Sequence, residues 1–341
     1  MKKKKPKFPS ELRFDLASKD WVVIATGRAK RPETFKEVKR EKQEVSKNKC
    51  PFCNISKQQA PTSAYYKGKK VPAKKGVEWT TITVPNKYPA FLPYPKLERR
   101  IEGCVYEVLN AVGFHEVLIT KDHKKQMAQF TRKEIKEVLD VYHDRYLDLM
   151  NKDFVSYVSI FHNHGKEAGA SISHPHSQIL TTPLIDVDLR NALSNSENFF
   201  KESKKCVYCV MGEWEREVKK RIIFENEEFI VLCPFASKSA FEVIISPKKH
   251  KPYFEKITSR EKVFLAEAFK EALSRLYKGL GDPAYNFYLH TAPCDGKKYD
   301  YYHWHWTILP KTSVWAGFEI GTRMEISTIE PEKAAAYLRK Q

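Results

Sequence analysis

The chain has 341 residues, with 60 Lys and Arg against 42 Asp and Glu and a formal net charge of +18; at roughly 100–200 residues per domain it holds two or three domains with ample core. Hydrophobic residues at 42% and aromatics at 13% exclude a wholly disordered chain. No apolar run approaches the ~18 residues of a membrane span, and the opening MKKKKPKFPSELRFD lacks the apolar core of a signal peptide, so a cytoplasmic protein without a membrane partner is expected.

In chain order, Trp21–Ile24 reads as a short strand and is followed by the basic turn Arg28-Ala-Lys-Arg31-Pro. Lys2–Lys5, Lys36–Lys49 and Lys69–Lys75 read as solvated loops or a tail; a basic surface also concentrates anionic ligands, whether nucleic acid or phosphorylated metabolites. Next come Cys50-Pro-Phe-Cys53, the strand Val117–Ile119 running on to His123, and a capping box Thr131-Arg-Lys-Glu134. Ile135, Val138, Leu139, Tyr142, Tyr146 and Leu149 follow that box at helical spacing. The strand Val158–Phe161 and the segment His174-Pro-His176 complete the set.

The same elements then recur in the same order. After a polar connector, Leu189–Lys205, come Cys206-Val-Tyr-Cys209, strands Ile230–Leu232 and Val243–Ile245, and His250. A second capping box, Thr258-Ser-Arg-Glu261, leads a stripe of Leu265, Phe269, Ala272 and Leu276; strand Asn286–His290 and His303-Trp-His305 close the series. From the lone His to the His-x-His is 51 residues in one half and 53 in the other. This predicts an α+β fold of two tandem units, residues 11–190 and 200–339, each an antiparallel sheet with one main helix.

Seven cysteines, four of them in two Cys-x-x-Cys pairs, favour metal ligands over a disulfide framework. Zinc takes four ligands, commonly a Cys-x-x-Cys turn plus two His. The repeat therefore predicts two zinc ions per chain, one on Cys50, Cys53, His123 and His174, the other on Cys206, Cys209, His250 and His303. Cys104, Cys233 and Cys294 lack partners at ligand spacing and are expected to be buried or half-buried.

In an extended strand, residues i and i+2 share a face, so a metal-held His174 presents His176 on the same side. Pro175 cannot donate to a ladder, which points to an edge or bulge facing a cleft. An imidazole is largely neutral at pH 7 and has a free ring nitrogen, so His176 can attack phosphorus without prior deprotonation. Phosphoryl chemistry also needs charge neutralisation and donors; Arg28 and Arg31 offer guanidiniums, and Ser171, Asn163 and Gln178 offer neutral hydrogen bonds.

These residues resemble the galactose-1-phosphate uridylyltransferase branch of the histidine-triad superfamily. The resemblance rests on Arg28-Ala-Lys-Arg31-Pro, Cys50-Pro-Phe-Cys53, Asn86-Lys-Tyr-Pro-Ala90, Lys121-Asp-His123, Phe161-His-Asn163, His174-Pro-His176-Ser-Gln178 and Gly317-Phe-Glu319. It implies two histidine-triad-like units, His176 as nucleophile and Gln178 steadying a nucleotidyl-histidine. It also implies a nucleotide and phosphate site lined by Arg28, Arg31, Asn86, Asn163 and Ser171. Phe318 and Glu319 would contact the hexose, often across a homodimer interface. The chain departs from the family pattern at Ser177, usually Gly, and at Lys87, usually Asp beside the nucleoside. The second complete Cys-x-x-Cys set looks more like the plant ADP-glucose phosphorylase subgroup.

The expected function is ping-pong nucleotidyl transfer from a nucleotide sugar, with UDP-glucose and a hexose 1-phosphate as reactants. The nearest rival is the same chemistry with ADP-glucose and inorganic phosphate. A zinc-stabilised nucleic-acid-binding protein is a remote rival, because no basic helix or aromatic-interleaved groove motif appears. His290 and His305 either have a structural role or join His303 around a metal.

Overall fold

The computed structural model describes residues 10–25 and 46–341; Arg28, Arg31 and most of the Lys36–Lys49 stretch lie outside the described residues. The first half carries β1 (Glu11–Phe14), β2 (Trp21–Ile24), β3 (Ser63–Tyr66), β4 (Lys69–Val71) and β5 (Thr81–Pro85). It continues with β6 (Arg99–Glu102), β7 (Tyr106–Leu109), β8 (His115–Thr120), α1 (Arg132–Leu149), β9 (Tyr157–His164) and β10 (His176–Thr182). Helices α2 (Val187–Ser203) and α3 (Val207–Val218) lead into β11 (Ile222–Glu225), β12 (Phe229–Leu232), β13 (Val243–Pro247) and α4 (Ser259–Leu280). The chain ends through β14 (Tyr285–His290), β15 (His305–Pro310), α5 (Gly317–Thr322), β16 (Ile326–Ser327) and α6 (Pro331–Leu338). No described helix is long and apolar enough to cross a membrane.

Eleven strands form one antiparallel sheet in the order β11-β12-β13-β15-β14-β9-β10-β8-β5-β3-β4. The halves meet along β9 and β14, where Asn163 lies opposite Asn286 and His162 opposite Phe287. Outward from that seam the order is β9-β10-β8-β5-β3 on one side and β14-β15-β13-β12-β11 on the other. Each His-x-His thus leads into the strand second from the seam.

Both main helices begin where their capping boxes predict. The Thr131 and Thr258 hydroxyls accept from the backbone N–H groups of Glu134 and Glu261, whose carboxylates reach back to the cap N–H. The α1 stripe is buried throughout and packs with Leu265, Phe269, Ala272 and Leu276 of α4 in a single core over one sheet face. Arg145 of α1 clamps Glu116 of β8 through two hydrogen bonds of 2.8 Å, tying helix to sheet.

Four expectations need correction. Lys69–Val71, read as part of a solvated loop, is the edge strand β4, solvent-exposed but paired with β3. The polar connector Leu189–Lys205 is mostly helix: Asp186 caps α2 by accepting from Leu189 N–H, and Leu189, Leu193 and Ser196 bury its inner face. Pro175 does not mark an edge, since β10 lies between β8 and β9; the proline stands just before the first strand residue, where no ladder N–H is required of it. Cys104 is exposed in the turn between β6 and β7, whereas Cys233 is buried and Cys294 partly so.

Candidate active site and metal centres

Side chains alternate across β10: Ser177 and Ile179 are buried under the helices, while His176 and Gln178 face the opposite, open side. On the neighbouring strands the same side carries Phe161 and Asn163 of β9, and Asn286 and Tyr288 of β14. Gln178 pairs with Phe161, and the register carried on sets His176 opposite Asn163. Asn163 Oδ1 accepts from Asn286 Nδ2 at 2.8 Å, which leaves the Asn163 amide group free to donate.

Beneath the strand, the Ser177 hydroxyl lies 2.6 Å from the Tyr142 hydroxyl and 3.0 Å from His162 Nδ1, anchoring β10 between its two outward-facing polar residues. The His176 ring packs on Phe52 with centroids 4.9 Å apart. Its Nδ1 lies 2.9 Å from the His174 carbonyl, and a carbonyl can only accept, so Nδ1 holds the proton and Nε2 carries the lone pair. Burial lowers the His176 pKa, against the opposing pull of that hydrogen bond, and keeps the ring neutral at pH 7. A neutral imidazole in a fixed tautomer is a ready nucleophile.

Ligand atoms of Cys50, Cys53, His123 and His174 all lie within 4.8 Å of one another, and so do those of Cys206, Cys209, His250 and His303. Both sets can hold a metal ion, and among the described residues they are the only such clusters. Their donor chemistry fits zinc, with two sulfurs and two imidazoles each. In three of the rings the nitrogen turned away from the cluster bonds a backbone carbonyl: His174 Nε2 to Thr120 at 2.7 Å, His250 Nε2 to Asp300 at 2.7 Å and His303 Nε2 to Pro247 at 3.1 Å. That pattern presents Nδ1 to a metal in the right tautomer. In the second cluster, hydrogen bonds from Cys209, His250 and His303 draw Cys206 strongly toward the thiolate, the form that ligates. Cys50–Cys53 sits in a turn, whereas Cys206 caps α3 and Cys209 lies in its first turn.

The other predicted positions are scattered. Asn86 follows β5 and reaches the Gln178 neighbourhood through His115. Ser171 is exposed on the loop before His174. A cavity of about 1600 Å³ opens over the same side of the sheet, lined by Asn163, Asn286, Tyr288, His290, His305 and Glu319 among others, though not by His176 or Gln178. Phe318 of α5 is 48% exposed. In the second half the His290 and His305 rings stack with centroids 4.7 Å apart, and His305 Nδ1 bonds the His303 carbonyl at 3.2 Å, as His176 bonds that of His174. Burial lowers both pKa values, that of His305 to about 4.

Comparison with known proteins gives the chain its family. The model for the N-terminal domain of galactose-1-phosphate uridyl transferase matches residues 2–186. The chain belongs to the galactose-1-phosphate uridyl transferase family. A second model, a domain of unknown function (DUF4921), matches residues 107–340. An ADP-glucose phosphorylase of Arabidopsis thaliana is 31% identical over 97% of this chain and 92% of its own. A galactose-1-phosphate uridylyltransferase of Thermotoga maritima is 28% identical over 97% of this chain and 98% of its own. The crystal structure of an Arabidopsis thaliana ADP-glucose phosphorylase with bound ADP-glucose superposes with a TM-score of 0.80 at 28% identity, covering 97% of this chain and 99% of that one. The family membership makes this protein a nucleotidyltransferase enzyme.

Sequence reasoning missed His115, Phe52 and Tyr142 as neighbours of the site. His115 lies 63 residues before Gln178 and carries no motif of its own; only the strand register brings the two together.

Proposed function

We propose that the protein transfers a nucleotidyl group from a nucleotide sugar to an anionic acceptor through a covalent intermediate on His176. The observation that carries this reading is the His176 tautomer: Nδ1–H is spent on the His174 carbonyl, so Nε2 is the free nucleophile on the open face. Nε2 attacks the α-phosphorus, the bond from that phosphorus to the bridging oxygen breaks, and the sugar 1-phosphate leaves as an anion without needing a general acid. The positive charge left on the ring is stabilised at Nδ1–H by the same carbonyl. An oxygen of the second phosphate then attacks phosphorus and releases Nε2. Splitting the transfer in two lets one set of donors, Gln178 and Asn163 with Arg28, Arg31 and Ser171, serve both half-reactions. Zinc bound by Cys50, Cys53, His123 and His174 would brace the segment that carries His176.

In the leading reading UDP-glucose is the donor and a hexose 1-phosphate the acceptor, in galactose metabolism, with Phe318 and Glu319 supplied to the hexose across a homodimer. The second reading, ADP-glucose with inorganic phosphate, is favoured by the likeness to the Arabidopsis enzyme over nearly the whole chain and by Lys87 and Ser177. Incubating the protein with radiolabelled UDP-glucose and ADP-glucose tests both readings: the true donor leaves acid-labile label on His176. His176→Ala is expected to abolish turnover and labelling while metal content stays unchanged. Near-normal turnover by that variant would refute the covalent role.

A further inference from the structure

His115, the first residue of β8, stands between the Asn86–Ala90 segment and Gln178. Its carbonyl accepts from Asn86 N–H at 2.8 Å. Its Nδ1 lies 3.1 Å from Ala90 N, and its Nε2 lies 2.8 Å from Gln178 Oε1 and 2.9 Å from Asn86 Nδ2. A backbone N–H can only donate, so Nδ1 is the acceptor and the ring proton sits on Nε2. That single proton goes to the one acceptor placed there, Gln178 Oε1. Asn86 is turned with its Oδ1 toward Tyr88 N–H, from which it accepts at 2.9 Å, so its amide nitrogen does not compete for the ring proton.

The two ends of a carboxamide have nearly the same shape but opposite hydrogen-bonding character, so the orientation of Gln178 is set by what bonds it. With Oε1 occupied, the Gln178 NH₂ is the free end. Had the amide turned over, the oxygen would face the phosphoryl oxygens and repel them. His176 and Gln178 share a strand face two residues apart, so the donor end is held on the side where phosphorus is attacked.

We propose that His115 is a positioning residue for nucleotidyl transfer: seated on Ala90 N–H, it fixes the Gln178 carboxamide with its NH₂ toward the phosphoryl group on His176, and joins that amide to the Asn86–Ala90 segment. The inference rests on the covalent reading of His176. Preorganised donors aimed at developing charge contribute to rate more than to ground-state binding.

The test is the single-turnover rate of covalent labelling by whichever sugar nucleotide labels the wild-type chain. His115→Asn keeps an acceptor near Nδ1 for Ala90 and loses the donor at Nε2. It is expected to label on the order of 10- to 100-fold more slowly, with little change in the concentration of half-saturation. His115→Gln, which can again place an N–H near Gln178, is expected to recover much of the rate. Combined with Gln178→Ala, His115→Asn should slow labelling no further than Gln178→Ala alone. An unchanged rate in His115→Asn, or multiplied losses in the double variant, would overturn the positioning role while leaving the covalent reading standing. A wild-type chain that takes no label from either nucleotide would overturn the covalent reading, and this inference with it.

Discussion

Backbone carbonyls set the tautomers of His174, His176, His250, His303 and His305. His174 and His303 direct Nδ1 into a cluster, and their own carbonyls accept Nδ1–H from His176 and His305 two residues later. The His-x-His spacing therefore sets the tautomer of the second ring. A different residue illustrates the cost of burial. Glu242 is buried, and its carboxyl is pushed up to about 7; burial outweighs the backbone N–H and ammonium of Lys238, with Asp15 adding to the upward push and Tyr288 close by. The unfolded glutamate titrates near ~4.3, so folding takes up a proton between the two values. Stability from this group is complete below the unfolded value and is lost as pH rises through about 7. Glu242→Gln is expected to melt higher than wild type at pH 8, by on the order of 1–3 kcal/mol, with the difference vanishing toward pH 4.5. Thermal melts of both chains across that range are the measurement.

At the scale of elements, the helices whose starts were legible are those with reciprocal caps. In the Thr131 box the hydroxyl and the Glu134 carboxylate satisfy two otherwise orphaned N–H groups, at 3.3 Å and 2.7 Å. Thr131→Ala is expected to cost ~1 kcal/mol, seen as a lower urea midpoint with an unchanged slope and an undiminished labelling rate. Helix α2 was hidden because Asn and Ser have modest helix propensity, and periodicity over its few apolar residues is weak. Its helical state comes from burying Leu189 and Leu193 beside Ala292 and Tyr302 of the second half. The exposed hairpin of β6 and β7 was invisible for a related reason, since it buries no face that would impose alternation.

Across the whole molecule, the two halves share one sheet and one large helical core, beside smaller clusters within each half, such as Cys50, Phe52, Ala64 and Trp79 in the first and Ile222, Ile230 and Leu232 in the second. The second Cys and His cluster draws on the start of α3, the segment after β13 and the segment before β15, three pieces far apart in sequence that a bound metal would tie together. Cys206→Ser is therefore expected to halve the metal content from about two ions per chain, and to lower the melting temperature. Covalent labelling of His176 should persist at a temperature where the variant stays folded; elemental analysis and the labelling assay check the two halves of that statement. The sequence by itself determined the α+β class, the repeated order of elements, both capped helices and the eight clustered Cys and His residues, because spacing, periodicity and ligand chemistry are local properties. The tertiary structure decided that the two halves of the chain join through β9 and β14, that Pro175 precedes an interior strand, and that His115 meets Gln178. Those outcomes depend on strand register and on the packing of distant segments, which no local pattern of residues encodes.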